Sequence, residues 1–218
     1  MDKKQDMLSF SLADRLVLQL DQALHTLIPG SSNAARHTPA AAVDEAELSA
    51  ADRRQAASLM RINHTGEVCA QALYQGQALT ARLPDVRAGM DHAAREEIDH
   101  LAWCETRLQE LDSRTSVLNP LWYAMSFGMG ATAGLIGDKW SLGFVGETER
   151  QVCEHLEDHL ERLPADDHKS KAVLTQMIMD ERTHGDAAMA AGGAELPLPV
   201  KAGMKLMAGV MKTLTHRI

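Results

Sequence analysis

Apolar residues along this chain recur every three or four positions, which is the spacing of one face of an α-helix. The first such run lies in residues 11–27 and ends before Pro29-Gly30; it consists of Leu12, Leu16, Leu20, Leu24 and Leu27. Residues 29–47 hold few large apolar side chains and many turn-forming residues, so we expect a linker there. An N-terminal helix within residues 1–28 should therefore precede the main domain, residues 48–218.

Five further segments carry helical signals. Ser49 can cap the first of them, with Asp52 three positions on, and Pro84 suits the first turn of the second. Glycines between residues 128 and 146 should break the third, which we expect to resume near Leu142. The five segments span residues 49–81, 84–111, 120–163, 166–191 and 199–216. About six helices with short connections predict a helical bundle.

The composition favours an all-α fold and narrows the functional class. Aromatic residues make up only 4% of the 218 residues, so few of the side chains that favour strands are available for a sheet. The net charge of −8 argues against nucleic-acid binding, which needs a basic surface. Residues 197–218 are a local exception, because they contain four basic residues and no acidic one.

The N-terminus and the cysteines bear on the cellular compartment. The opening residues MDKKQDML are not followed by a long apolar run, so no secretory signal is expected. The three cysteines form no Cys-x-x-Cys pair, which fits a reducing cytosol and gives no support for a zinc ribbon.

Two predicted helices each carry a glutamate three residues before a histidine. The pairs are Glu97 with His100 and Glu181 with His184. Residues three apart on a helix project about 60° from each other and rise about 4.5 Å, so each pair can direct an oxygen and a nitrogen at one point. Two such helices facing each other could hold two metal ions.

Two further glutamates complete a repeated pattern. Glu67 precedes Glu97 by 30 residues, and Glu149 precedes Glu181 by 32. A helix with one glutamate followed by a helix with Glu-x-x-His, present twice, matches the ligand arrangement of ferritin-like di-iron bundles. Two divalent ions would offset four carboxylates that are costly to bury alone. Oxygen and nitrogen ligands without thiolate suit iron or manganese.

Nearby residues compete for these roles. Glu96 and Asp180 lie four residues before the two histidines, and Glu147 lies two residues before Glu149. We prefer Glu149 because it repeats the spacing of the first half more closely. Among the other histidines, His155 is the best candidate for supporting the ligands from outside.

Longer stretches around these residues carry a family resemblance. They are LMRINHTGEVCAQALYQGQ, AREEIDHLAWCE, SVLNP, SLGFV and the Glu181-x-x-His184 block. From about residue 14 onward the sequence resembles the demethoxyubiquinone hydroxylase family, the di-iron monooxygenases of ubiquinone biosynthesis. The resemblance implies two iron ions per chain, bridged by Glu97 and Glu181. It places the ligands at Glu67, Glu97, His100, Glu149, Glu181 and His184.

The resemblance also implies the reaction, which is O2-dependent hydroxylation of a polyprenylated methoxy-methyl-benzoquinone ring. Electrons would come from an external reductant, for which the family suggests NADH, or from the quinol itself. No Gly-x-Gly-x-x-Gly motif follows a predicted strand, so a bound nicotinamide domain is not expected. Other ubiquinone-biosynthesis proteins are expected partners.

A polyprenyl substrate requires a route from the bilayer. Residues 118–137 are 20 positions without a charge, but glycines and alanines dilute their hydrophobicity. We therefore expect interfacial or hairpin insertion by a segment near residues 118–146 rather than a membrane span. The helix at residues 199–216 combines lysines with apolar residues, as helices on anionic surfaces do. Peripheral attachment to the cytoplasmic side of the cell membrane follows.

Two other functions stay open at this point. A ferritin-like protein that stores iron or removes peroxide would not need the uncharged stretch around Met125. A non-catalytic lipid-binding scaffold for quinone-making enzymes would need the membrane surfaces but not six metal ligands.

Overall fold

The computed structural model describes residues 12–218, which contain seven α-helices, one short 3-10 helix and no strand. In chain order the helices are α1 Leu12–Leu27, the 3-10 helix η1 Pro39–Ala42, α2 Ala50–Thr80, α3 Pro84–Glu110, α4 Asn119–Ile136, α5 Asp138–Arg162, α6 His168–Ala190 and α7 Leu198–Thr215. The predicted all-α class is confirmed. The first eleven residues of the predicted N-terminal helix segment lie outside the described residues.

Helix starts follow the local signals in the sequence. The Ser49 hydroxyl accepts a hydrogen bond from the backbone N–H of Asp52 at 3.1 Å and caps α2, as predicted. Pro84 occupies the first turn of α3, also as predicted. Asp167 caps α6 by accepting a bond from the backbone N–H of Ser170 at 3.0 Å. The bounds of α2, α3, α6 and α7 agree with the predicted segments to within two residues.

The predicted count of about six helices was one too low, because segment 120–163, in which we expected a break, forms two separate helices. The helix α4 continues through Gly128 and Gly130 and ends at Ile136. The next residue, Gly137, has a φ of 141° and separates α4 from α5. A Cβ on Gly130 would lie 2.2 Å from the backbone oxygen of Leu73 in α2. The backbones of α4 and α2 are therefore almost in contact at this point. Gly130 is needed for this close packing and does not break the helix.

The helices α2, α3, α5 and α6 form a four-helix bundle with an apolar cluster on either side of its centre. One cluster includes Leu59, Met60, Leu108, Leu156, Leu174 and Met177. The other includes Tyr74, Met90, Leu142, Val145 and Ala188. Side chains near the middle of each helix are enclosed between the two clusters, so polar residues there are removed from water. Glu97 and His100 are both 0% exposed.

Residues 29–47, which we expected to be a linker, lie against the bundle and contain η1. The backbone N–H of Gly30 donates to Glu105 in α3 at 3.0 Å. Arg107 in α3 pairs with Glu45 at 2.7 Å. This N-terminal segment is thus held to α3 at both of its ends.

Within residues 12–218, none of the helices combines the length and the apolar character needed to cross a bilayer.

Candidate metal centre

Six side chains from α2, α3, α5 and α6 converge at the middle of the bundle. They form two groups whose ligand atoms lie within 4.8 Å of one another: Glu67, Glu97, His100 and Glu181, and Glu97, Glu149, Glu181 and His184. Glu97 and Glu181 belong to both groups. The structure therefore brings together all six residues selected from the sequence. It places Glu97 and Glu181 between the two groups, where each can serve both.

The two histidines enter the cluster in equivalent ways. His100 Nδ1 lies 2.9 Å from Glu181 Oε1 and 3.3 Å from Glu97 Oε2. His184 Nδ1 lies 3.1 Å from Glu181 Oε2 and 3.3 Å from Glu97 Oε1. Each histidine thus faces both shared carboxylates through Nδ1, as expected from the repeated helical hairpin.

The donor set fits two metal ions. Glu149 Oε2 is buried and receives no hydrogen bond from the described residues. Buried oxygens without partners are costly, and a cation can satisfy them. The four carboxylates can carry four negative charges, which two divalent cations would offset. Oxygen and nitrogen donors without a thiolate are typical of iron and manganese sites.

Burial and mutual repulsion govern the pKa values in the cluster. Burial, and then repulsion from Glu181 and Glu97, raises the pKa of Glu149 well above its ordinary value. Burial also raises the pKa of Glu67. Burial alone would lower the pKa of His184, but hydrogen bonds with Glu181 and Glu97 outweigh it and raise that pKa to about 12. A metal ion must displace protons to bind here, so affinity should increase with pH.

The outer nitrogen of each histidine meets a carboxylate on the opposite helix. His100 Nε2 in α3 lies 2.9 Å from Asp180 Oδ2 in α6. His184 Nε2 in α6 lies 2.8 Å from Glu96 Oε2 in α3. Metal-binding histidines commonly donate their second N–H to a carboxylate, which fixes the ring. Glu96 and Asp180, which the sequence presented as rival ligands, therefore orient the histidines.

A buried tyrosine holds one of the carboxylates. The Tyr74 hydroxyl donates to Glu149 Oε1, and burial raises the pKa of Tyr74 well above its ordinary value. We did not select Tyr74 from the sequence. Its position seven residues after Glu67, or two helical turns, was an available signal, because it places both side chains on one face of α2.

The other two candidates from the sequence, Glu147 as an alternative ligand and His155 as a supporting residue, lie outside both groups. Glu147 pairs with Arg150 at 2.7 Å and with Lys201 at 3.4 Å. Burial would raise the pKa of Glu147, but the bonds from Arg150 and Gln151 lower it to about 2. His155 Nε2 lies 3.0 Å from Asn63 Oδ1, so its hydrogen bond goes to this amide rather than to a ligand.

Two cavities lie beside the bundle helices, and the first is lined by two of the six clustered residues. One, of about 490 Å³, opens between α5 and α6 and is lined by Glu149 and Glu181. The other, of about 500 Å³, lies between α2, α4, α5 and α7 and passes beside Gly66, next to Glu67. Apolar side chains dominate the second cavity, among them Trp122, Met125, Met129, Phe144, Met204, Met207 and Met211.

A four-helix bundle with two carboxylate and histidine groups that share two glutamates defines the ferritin-like class of metal-binding proteins. The same fold occurs in the bacterioferritin-related protein of Bacteroides fragilis, a dodecameric thioferritin, with a TM-score of 0.54 and 16% identity over 71% of this chain and 90% of that chain. Residues 54–215 match the family described as "Ubiquinone biosynthesis protein COQ7", and the chain belongs to this family.

Close relatives carry a specific enzyme name. The 3-demethoxyubiquinol 3-hydroxylase of Stutzerimonas stutzeri (strain A1501) is 62% identical over 209 residues, or 96% of this chain and 97% of the relative. The protein of the same name from Pseudomonas fluorescens (strain SBW25) is 60% identical over the same shares of both chains.

Proposed function

We propose that this protein is an O2-dependent di-iron hydroxylase that acts on the ring of demethoxyubiquinol in ubiquinone biosynthesis. The observation that carries the proposal is the pair of ligand groups sharing Glu97 and Glu181, found in a chain about 60% identical to hydroxylases of that name. Glu67, Glu97, His100, Glu149, Glu181 and His184 would hold the two irons, and Glu97 and Glu181 would serve both of them. When bound, the two irons would supply the activation of O2.

The protein's own residues would prepare this centre. Asp180 and Glu96 hold the rings of His100 and His184, and the Tyr74 hydroxyl fixes Glu149. The apolar clusters on both sides keep bulk water away from the reacting groups. These contacts keep the ligands in one arrangement before substrate arrives.

The reaction balances with the quinol as its own source of electrons. One atom of O2 enters the ring C–H bond as a hydroxyl, and the other leaves as water. The quinol gives up two electrons and two protons, so the product is a hydroxylated quinone. If NADH is the external reductant, it would return this quinone, or the starting quinone, to the quinol form.

The apolar cavity of about 500 Å³ suits the substrate's polyprenyl tail. Its methionines are flexible and can adapt to a long hydrocarbon. Its wall at Gly66 is adjacent to Glu67, so the ring at the end of the tail would lie near the metal centre.

We also propose that the mouth of this cavity faces a membrane surface. Both α4 and α7 line the cavity and expose large apolar side chains. These are Leu121, Met125, Met129, Leu135 and Ile136 in α4, and Leu206, Val210 and Leu214 in α7. Lys205 and Lys212 lie at the same cavity and would contact anionic headgroups. Peripheral attachment would let the quinol enter directly from the bilayer.

A single-turnover assay tests the function. Protein loaded anaerobically with Fe²⁺ is mixed with demethoxyubiquinol and O2, and the product is analysed by mass spectrometry. We expect two irons per chain and one added oxygen atom in the product. Glu149→Gln should lose iron and product, whereas Glu147→Gln, on the same helix but outside both groups, should retain them.

The other functions predict different outcomes of the same assay. Consumption of O2 without change to the quinol would indicate iron storage or peroxide removal. Quinol binding without bound iron would indicate a non-catalytic scaffold. Equal activity of Glu149→Gln and the unmodified protein would overturn the assigned centre.

A further inference from the structure

The N-terminal segment places an arginine beside the metal centre. Arg36 Nε lies 2.5 Å from Asp99 Oδ2, and Arg36 Nη1 lies 2.9 Å from Asp180 Oδ2. Asp99 and Asp180 belong to α3 and α6, so one guanidinium joins the two helices that carry the Glu-x-x-His pairs. A planar guanidinium can bind two carboxylates at once, which a lysine ammonium does with less directional control.

Several contacts fix the position of Arg36. Asp99 Oδ1 accepts bonds from the backbone N–H groups of Ala35 at 2.6 Å and Arg36 at 3.3 Å. The Trp103 indole N–H donates to the Arg36 carbonyl at 3.3 Å. The guanidinium carbon lies 4.9 Å from the Trp103 ring centroid, within the range of a cation–π contact. Both the backbone and the side chain of Arg36 are therefore anchored to α3.

Arg36 reaches a metal ligand through one intermediate group. Asp180 Oδ2 contacts both Arg36 Nη1 and His100 Nε2 at 2.9 Å. The other oxygen, Oδ1, accepts a bond from Gln176 at 2.9 Å. The Asp180 carboxylate is thus held at both oxygens, and it holds the ring of His100 in turn. Removing the Arg36 side chain would remove one of the two hydrogen bonds, other than that with His100, that hold the Asp180 carboxylate.

The second histidine has a weaker support. Glu96, which contacts His184, is paired with His92 at 3.2 Å. The side chains of Glu96 and His92 are 37% and 66% exposed, compared with 38% for Arg36, 17% for Asp180 and 4% for Asp99. Exposed pairs are screened by water and contribute little to positioning. The two halves of the centre, though similar in their ligands, differ in their surroundings.

We propose that Arg36 is a positioning residue that fixes His100 through Asp180 and thereby makes the two metal positions unequal. The position at His100 binds its ion more tightly, and the position at His184 is the one that exchanges with solvent. This inference rests on the proposed di-metal centre but not on its reaction.

Titration of metal-free protein with Co²⁺ tests the proposal, because the visible absorption of Co²⁺ reports each binding event without turnover. We expect two ions per chain with different affinities. In Arg36→Ala the affinity of the tighter position should fall about tenfold or more, with the weaker one unchanged. Arg36→Lys should recover part of the loss, since the charge opposite Asp180 remains. In ⁵⁷Fe²⁺-loaded protein, Arg36→Ala should alter one of two Mössbauer doublets.

Two further variants separate positioning from general stability. Arg53→Ala removes another arginine–aspartate pair, 2.7 Å from Asp112 and remote from the centre, and should leave both affinities unchanged. If Arg36→Ala loses helical content, Asp180→Asn replaces it, and the same single position should weaken. Equal affinities in the unmodified protein, or unchanged binding in both variants at Arg36 and Asp180, would overturn the inference. Failure of the unmodified protein to bind two ions would instead overturn the proposed centre itself.

Discussion

At the scale of single residues, the hydrogen bond from the Tyr74 hydroxyl to Glu149 can be removed with little other change to the candidate metal centre. Tyr74→Phe keeps the ring but leaves Glu149 Oε1 without its donor. We expect the affinity for one of the two metal ions to fall about tenfold. Tyr123→Phe is the matched control, because its buried hydroxyl donates to Gln75 and not to a ligand. The control should cost about 1 kcal/mol of stability and leave metal affinity intact. Equal effects on affinity would contradict the role of Tyr74.

A pH dependence follows from His159, which is 1% exposed and lies 2.6 Å from Asn63 Oδ1 through Nδ1. Burial, with the nearby charge of Arg162, lowers the pKa of His159 to about 4. In the unfolded chain this histidine takes up a proton near pH 6.5, whereas in the folded protein it does so only near pH 4. The stability that depends on neutral His159 is therefore fully present above pH 6.5 and decreases as the pH falls toward 4, by about 1.4 kcal/mol per pH unit. Urea unfolding at pH 7.5 and 5 should show a smaller decrease for His159→Gln. His25→Gln, at an exposed site, should keep the full decrease.

Residue spacing predicted which side chains meet at the candidate metal centre but not the groups that orient the two histidines. Glu-x-x-His spacing depends only on helix geometry, which a sequence contains, and it placed Glu97, His100, Glu181 and His184 correctly together. The pairing of Asp180 with His100 crosses from α6 to α3. Such a contact depends on the relative rotation of two helices, which packing of the whole core determines.

At the scale of helices, glycines decide how closely α4 approaches α2. A Cβ on Gly130 would lie 2.2 Å from the Leu73 backbone oxygen, so Gly130→Ala should force the helices apart and cost about 1–3 kcal/mol. Gly128, in the same helix, has no atom within 4 Å of an added Cβ. Gly128→Ala should therefore stabilise the protein by up to about 1 kcal/mol through helix propensity. Thermal unfolding of both variants would check this, and equal shifts would contradict the close packing.

The same helix explains why the fold was only partly predictable from sequence. Apolar periodicity, Ser49 and Pro84 located most helices to within two residues. Glycine lowers helix propensity, and this local rule predicted a broad break where α4 continues to Ile136. The favourable packing against α2 compensates for that cost, and such a long-range contact leaves no local signal.

At the scale of the whole molecule, the candidate metal centre lies inside the bundle, and the apolar cavity lies outside it, between α2, α4, α5 and α7. The centre lies between the two apolar clusters of the bundle, and Gly66, which lines the cavity, precedes Glu67 in α2. The protein is acidic overall, but Lys205 and Lys212 of α7 line this cavity. A surface of this kind favours an anionic bilayer over a neutral one.

Vesicle co-sedimentation tests this orientation. We expect the protein to bind anionic phospholipid vesicles, to bind neutral ones less, and to dissociate partly as salt screens Lys205 and Lys212. Replacing Leu206 and Leu214 by glutamate should lower vesicle binding at least about tenfold, because burying each leucine contributes about 1.5–3 kcal/mol. Met179→Glu changes an apolar residue of intermediate exposure, 57% against 70% for Leu206 and 46% for Leu214, on α6 and outside the cavity lining, and should bind vesicles normally. If all three proteins bind alike, or the unmodified protein stays in the supernatant, the membrane does not contact α7, and the quinol must reach the cavity by another route.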